Sequence, residues 1–197
     1  MKVTKIVKYN YKLTEETLEK DIERFISDAR KGDYSWDYKC GGEGIKIIKQ
    51  YFKILKEKLS KEEYQECKEC YKKLILFLFD ASVGEDEACF GYEDLLSKTS
   101  KDFDQLIRNY FTCLVKICDI GELSNEIAEY AIKLWGSGSG FDCDTKVYIQ
   151  NLEKLFLENL INRMLIKTEG MTKKDEDKQG IVYFLMNIAE EQEDKEK

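Results

Sequence analysis

Cys67 and Cys70 form a Cys-x-x-Cys pair, a spacing that can hold zinc or cycle between dithiol and disulfide. A structural zinc site needs further ligands, and the chain contains no second pair of this kind and no histidine. A redox pair would sit at a helix N-terminus beside a strand, where the helix dipole lowers the thiol pKa, whereas this one falls midway along an apolar stripe. The pair therefore reads as two small buried thiols. Carboxylates cluster at Asp33 with Asp37, Glu85 with Asp86 and Glu87, Glu93 with Asp94, and Asp142 with Asp144, any of which could offer oxygen ligands to Mg²⁺ or Ca²⁺. None has the spacing of a calcium loop, since Asp142-Cys143-Asp144 lacks the next acid, the glycine and the closing glutamate. Gly136-Ser137-Gly138-Ser139-Gly140 is glycine-rich enough to cradle a phosphate, but it follows a helix, has no P-loop lysine, and leads into Asp142 and Asp144, which would repel an anion. It reads as a linker.

The stronger candidates are aromatic side chains beside acids in loops: Tyr34, Trp36 and Asp37 in one, Phe90 and Tyr92 in a second, Phe141 and Asp142 in a third. Aromatics supply large contact area at small entropic cost and are enriched at interface hot spots, so these seven residues are read as a partner-binding set. The competing reading is that the rings fill gaps between helices.

Absences narrow the chemistry. With no histidine in 197 residues, a Ser-His-Asp or Cys-His unit, a histidine metal ligand and a histidine pH switch are all excluded within this chain. No catalytic residue, metal site or cofactor is assigned. Acids outnumber bases 39 to 32, giving a net charge of −7, which disfavours nucleic acid and favours a basic partner. No apolar run has the length of a membrane helix and the start has no secretory pattern, so a cytoplasmic protein with reduced cysteines is expected.

The elements that must position these residues are helices. With 43% apolar and 36% charged residues the composition is globular, and the lack of proline permits long uninterrupted helices. Leu18, Ile22, Phe25, Ile26 and Ala29 predict a helix over 14–31, capped by Thr14 and stopped by Gly32. Ile45, Ile48, Phe52, Leu55 and Leu59 predict a second. Ser60-Lys61-Glu62-Glu63 matches a capping box and opens a third, striped by Tyr64, Cys67, Tyr71, Leu74 and Leu78, which must fold back on the second as a hairpin. Residues 81–99 read as an acidic loop with at most one short helix at 92–96. Phe103, Leu106, Ile107, Tyr110, Leu114 and Ile117 predict a further helix ending before Gly121, and Ser124 is expected to cap the next, with Ile127, Ala131 and Leu134. Ile149 to Leu165 is apolar around much of its circumference and reads as a central helix. Ile181, Phe184, Leu185 and Ile188 mark the last.

Residues 22–59 can be laid over 127–164, with Ile22 on Ile127, Phe25 on Tyr130, Trp36 on Phe141 and Leu55 on Leu160. A duplication and shared amphipathic spacing both account for this. The run Ile22 to Trp135, with its Gly-Asp loop, paired helices, Tyr64 early in the third helix and acids at Glu85 to Glu87, resembles the helical repeat region of bacterial proteins that carry SWIM-type zinc fingers. The finger signature itself, Cys-x-Cys then Cys-x-His, is absent, and the resemblance covers about half of the chain. It implies a tetratricopeptide-like binding scaffold and no functional residue.

The expectation is thus an all-α protein, an irregular array or solenoid of antiparallel helix pairs with about seven or eight helices. It comprises an N-terminal extension over 1–13, one helical domain over 14–191 with candidate half-repeats 14–80 and 124–191, and a charged tail over 192–197. The expected function is a non-enzymatic module that binds a protein or peptide; the alternative is a carboxylate-dependent divalent-metal enzyme.

Overall fold

A computed structural model of the chain describes residues 13–34, 41–82, 103–132, 154–172 and 175–195. Among the described residues there are seven α-helices and no strand: α1 Leu18–Arg30, α2 Gly41–Leu59, α3 Tyr64–Ser82, α4 Phe103–Ile117, α5 Ile120–Ala131, α6 Lys154–Thr168 and α7 Glu176–Lys195. The protein is all-α. The chain divides into two compact units, Met1–Leu106 and Ile107–Lys197.

In the first unit α1, α2 and α3 pack on one another, with α3 against both neighbours. The arrangement follows from where each stripe points. Ile22, Phe25 and Ala29 of α1, Ile48, Tyr51 and Leu55 of α2, and Tyr71, Leu74 and Leu78 of α3 are fully buried. Phe25 stands at the centre, its ring 4.8 Å from Tyr34, 5.7 Å from Tyr51 and 6.1 Å from Phe77. The last two contacts are edge-on, the geometry favoured by aromatic quadrupoles. On α2 the inward face is turned from the expected stripe: Tyr51 is buried while Phe52 is only partly so. Tyrosine can face inward there because its hydroxyl reaches Asp21, at 2.7 Å.

Two local expectations are corrected. The cap of α1 is Thr17, whose side chain accepts from the Lys20 amide, and Thr14 instead donates to Asp21. The capping box expected at Ser60 to Glu63 does not form. Helix α2 continues to Leu59, leaving Ser60 in its closing turn, where its hydroxyl donates to the Glu57 carbonyl. The Glu62 amide donates to Leu59 and the Glu63 amide to Lys58, while Glu62 takes φ 63°. That pairing is a Schellman turn with glutamate in the left-handed position that glycine usually fills. The same motif closes α1, with Gly32 at φ 92° and the Asp33 amide on Asp28, so glycine stops that helix as expected. The hairpin of α2 and α3 is present; Lys58 clamps it by donating to Glu63 and Glu66, both at 2.6 Å.

In the second unit α5 packs on α6 and α7, and α6 on α7. The tight reversal from α4 to α5 is set by Asp119, whose carboxylate accepts from the Gly121 and Glu122 amides at 2.7 and 2.9 Å. Those bonds hold its pKa below the usual carboxylate range. Asp119, not Ser124, is therefore the cap of α5; Ser124 is buried and donates to the Gly121 carbonyl. Tyr110 and Phe111 of α4 pack on Tyr130 of α5, with ring centroids 5.1 and 5.8 Å away, and the Tyr110 hydroxyl donates to Glu126 at 2.7 Å. Helix α6 is not the fully enclosed element its composition suggests. Leu157, Leu160 and Met164 face inward, but Leu155 is 70% exposed and Ile166 61%. Helix α7 runs on to Lys195, through positions whose charge reads as a tail.

Truncating the central ring of the first unit, Phe25→Ala, should cost about 3–5 kcal/mol, as for other fully buried phenylalanines. Urea melts monitored by circular dichroism will measure this, and Leu155→Ala, at an exposed site, should stay within about 0.5 kcal/mol of the parent. A second test uses Tyr110, whose pKa is raised by burial, by Tyr130 nearby and by its bond to Glu126. The neutral phenol is thus favoured in the folded state. Its contribution to stability is full below the unfolded value of about 10 and is lost as pH climbs beyond it towards the higher folded value. Denaturant melts across that range should show stability falling with pH, with a shallower fall in Tyr110→Phe.

Candidate functional site

Of the seven side chains read as partner-contacting, Tyr34 falls among the described residues; Trp36, Asp37, Phe90, Tyr92, Phe141 and Asp142 lie outside them. Tyr34 follows the Gly32 turn at the end of α1 and lays its ring against Phe25. Burial pushes its pKa up, against a hydrogen bond from Arg24 that pulls it down. One side of the ring thus seals the core.

The best-built polar cluster of the first unit was not singled out from the sequence. Asp21 is fully buried on α1. One carboxylate oxygen accepts from the Thr14 hydroxyl at 2.7 Å, the Thr14 amide at 2.8 Å and the Glu15 amide at 3.2 Å, with Arg24 at 3.5 Å. The other accepts from the Tyr51 hydroxyl. A carboxylate taken out of water is tolerated only when its lone pairs are satisfied, and here a backbone segment, a guanidinium and a phenol share that task. The cluster ties residues 14–15 and α2 to α1. Its signal was legible: Asp21 is three residues after Leu18 and four before Phe25, so helical spacing sets it on the buried face. Along the other flank of α1, Lys73 of α3 donates to Glu19 and Glu23.

The thiols behave as read. Cys67, Cys70, Cys113 and Cys118 are thiols outside any disulfide, and the first three are buried. The Cys67 thiol donates to the Leu55 carbonyl at 3.7 Å. Burial drives the Cys70 pKa up to about 12, with Glu66 and Glu19 adding in the same direction. A thiol in that state is neither a nucleophile nor a ready metal ligand at neutral pH. Among the described residues no group of three or more Cys, Asp or Glu side chains is placed to hold a metal ion.

Among the described residues, most of the exposed large apolar side chains lie in the second unit. Lys178 of α7 donates to the Met171 and Thr168 carbonyls at 3.0 and 3.3 Å, closing the C-terminal end of α6 and fixing the two helices together. Each helix buries one face, Leu157, Leu160 and Met164 on α6 and Ile181, Phe184 and Ile188 on α7. Each also carries apolar side chains away from that face: Leu155, Leu165 and Ile166 on α6, and Val182, Tyr183 and Met186 on α7. On α6 Leu155 and Ile166 are separated by Asn159 and Asn162, whereas on α7 Val182 and Tyr183 are adjacent and Met186 lies one turn further along. Among the described residues no helix is long and apolar enough to cross a membrane. Comparison of the chain with protein-family models, with curated proteins and with solved structures finds no match.

Site-resolved alkylation checks the thiol assignment. With iodoacetamide at about pH 8, where a free thiol is partly ionised, Cys67, Cys70 and Cys113 should stay unmodified in the folded chain and label rapidly in urea. Peptide mass spectrometry reads the outcome, and fast labelling of Cys70 in the native protein would contradict both its burial and its raised pKa.

Proposed function

We propose that this chain is a non-enzymatic protein-interaction module, an acidic helical scaffold that binds a basic protein or peptide. The observation that carries the reading is the set of large apolar side chains left facing solvent on α6 and α7, on a chain of net charge −7. Scattered exposed leucines need no explanation, but contiguous apolar side chains on a helix face are characteristic of surfaces that bind other proteins. The loops with Tyr34, Trp36 and Asp37, with Phe90 and Tyr92, and with Phe141 and Asp142 belong to the same reading as further contact residues. The likeness to a tetratricopeptide-like scaffold points the same way. Cytoplasmic residence fits the reduced thiols at Cys67, Cys70, Cys113 and Cys118.

Opposite charge steers encounter, so the association rate should depend on ionic strength. A partner recovered by affinity purification from the source cells should associate several-fold more slowly at about 300 mM than at about 50 mM salt, because the Debye length shortens over that range. Surface plasmon resonance gives the rate directly. A rate indifferent to salt would remove the electrostatic part of the reading. A saturable Mg²⁺ or Mn²⁺ site in calorimetry, lost in Asp142→Ala together with a measured turnover, would replace the module with a metal-dependent enzyme.

A further inference from the structure

The outward face of α7 has a charge pattern that selects its occupant. Ile181, Phe184 and Ile188 are buried, so helical geometry turns Gln179, Val182, Tyr183, Met186 and Glu190 to the opposite side. Val182 is 38% exposed, Tyr183 47% and Met186 55%. Glu176, Tyr183 and Glu190 recur at seven-residue steps along the helix, and both glutamates are exposed. The ridge is therefore an apolar centre with a carboxylate about 10 Å, or two turns, to either side. Asp177 is also exposed, and the one cation in this stretch, Lys178, is engaged with the carbonyls at the end of α6.

We infer that this ridge is the docking surface for a basic amphipathic helix, one with an apolar anchor on its inner face and Lys or Arg two turns before and after it. The inference rests on the interaction-module reading and assigns it a place and a ligand chemistry. Tyr183 supplies a rigid ring with a polar tip, and Met186 a flexible, polarisable side chain that conforms to different partners. Helix recognition uses anchors three or four residues apart, and the α7 face supplies such pairs in Tyr183 with Met186 and Val182 with Met186. The flanking acids decide between occupants. A second copy of this chain laid on the ridge about a twofold axis would set Glu176 of one α7 against Glu190 of the other, carboxylate facing carboxylate. A helix with cations at those positions turns both repulsions into attractions.

The probe is a synthetic amphipathic helix of about 20 residues, long enough to form several turns, with Leu and Met on one face and Lys two turns either side of a central Leu. A control peptide carries Glu in place of those Lys. Fluorescence anisotropy with the full chain should show saturable binding of the Lys peptide. Affinity should fall about tenfold or more in the Tyr183→Ser, Met186→Gln double variant, whose helical circular dichroism should match the parent because both sites are exposed. Glu176→Lys with Glu190→Lys should reverse the preference, so that the Glu peptide binds better. Equal binding of the two peptides, or unchanged binding by the double variant, overturns the inference. So does a concentration-dependent dimer in sedimentation analysis that the double variant abolishes, since a second copy would then be the occupant. If the double variant still captures the cellular partner with full affinity, this site fails while the interaction module stands.

Discussion

A tyrosine enclosed in a helical core brings a hydroxyl whose burial is costly unless an acceptor meets it. The largest fully buried side chains among the described residues are Tyr51, Tyr71, Tyr110 and Tyr130, ahead of any phenylalanine. A phenol contributes as much apolar burial as phenylalanine, but an unpaired hydroxyl in a dry interior forfeits much of that gain. Carboxylates meet this constraint in both units: Tyr51 donates to Asp21 and Tyr110 to Glu126. The consequence in the first unit is structural. Asp21 can be buried because Tyr51, Arg24 and the residues before α1 converge on it, so one buried side chain fixes helix entry, helix pairing and the inward face of α2 together.

The tight turns show the same dependence on satisfied polar groups at smaller scale. Two helix ends are closed by Schellman pairings, one with Gly32 and one with Glu62 in the left-handed region. Glutamate is a poor occupant of that region, and the neighbouring chemistry offsets the cost. Lys58 donates to Glu63 and Glu66 across the turn, and those bonds raise its own pKa. The α4 to α5 reversal uses a cap instead, because Asp119 stands where two orphan amides can reach its carboxylate. Gly121 beside it leaves room for Arg163, whose guanidinium would lie 3.1 Å from any added Cβ.

The second unit differs in how its last two helices are dressed. In α1 the apolar residues gather on one face and the charges, Asp21 apart, on the other. Helices α6 and α7 spread theirs, so packing one face leaves apolar side chains on another. A helix of that kind is either enclosed or offered to a partner. If α7 is the docking face proposed above, the exposed acids Glu176, Asp177 and Glu190 would restrict which helices can approach it.

Helical class, the hairpin of α2 and α3, the burial of the Cys67–Cys70 pair and the stop at Gly32 were all legible in the chain, because each depends on residues within a turn or two of one another. Periodicity near 3.6 and the conformational freedom of glycine act locally and need no knowledge of the neighbours. Other features required the fold. Whether Thr14 or Thr17 caps α1 depends on Asp21 claiming the former; whether Ser60 opens α3 or closes α2 depends on how far α2 persists; and whether the apolar α6 is enclosed depends on what packs against each side. The aromatic–acid loops were legible as candidates, yet Tyr34 takes its position from Phe25, across a turn. Sequence patterns specify which faces are oily; only the tertiary arrangement decides which of them are covered, because burial is a property of pairs of elements rather than of any one.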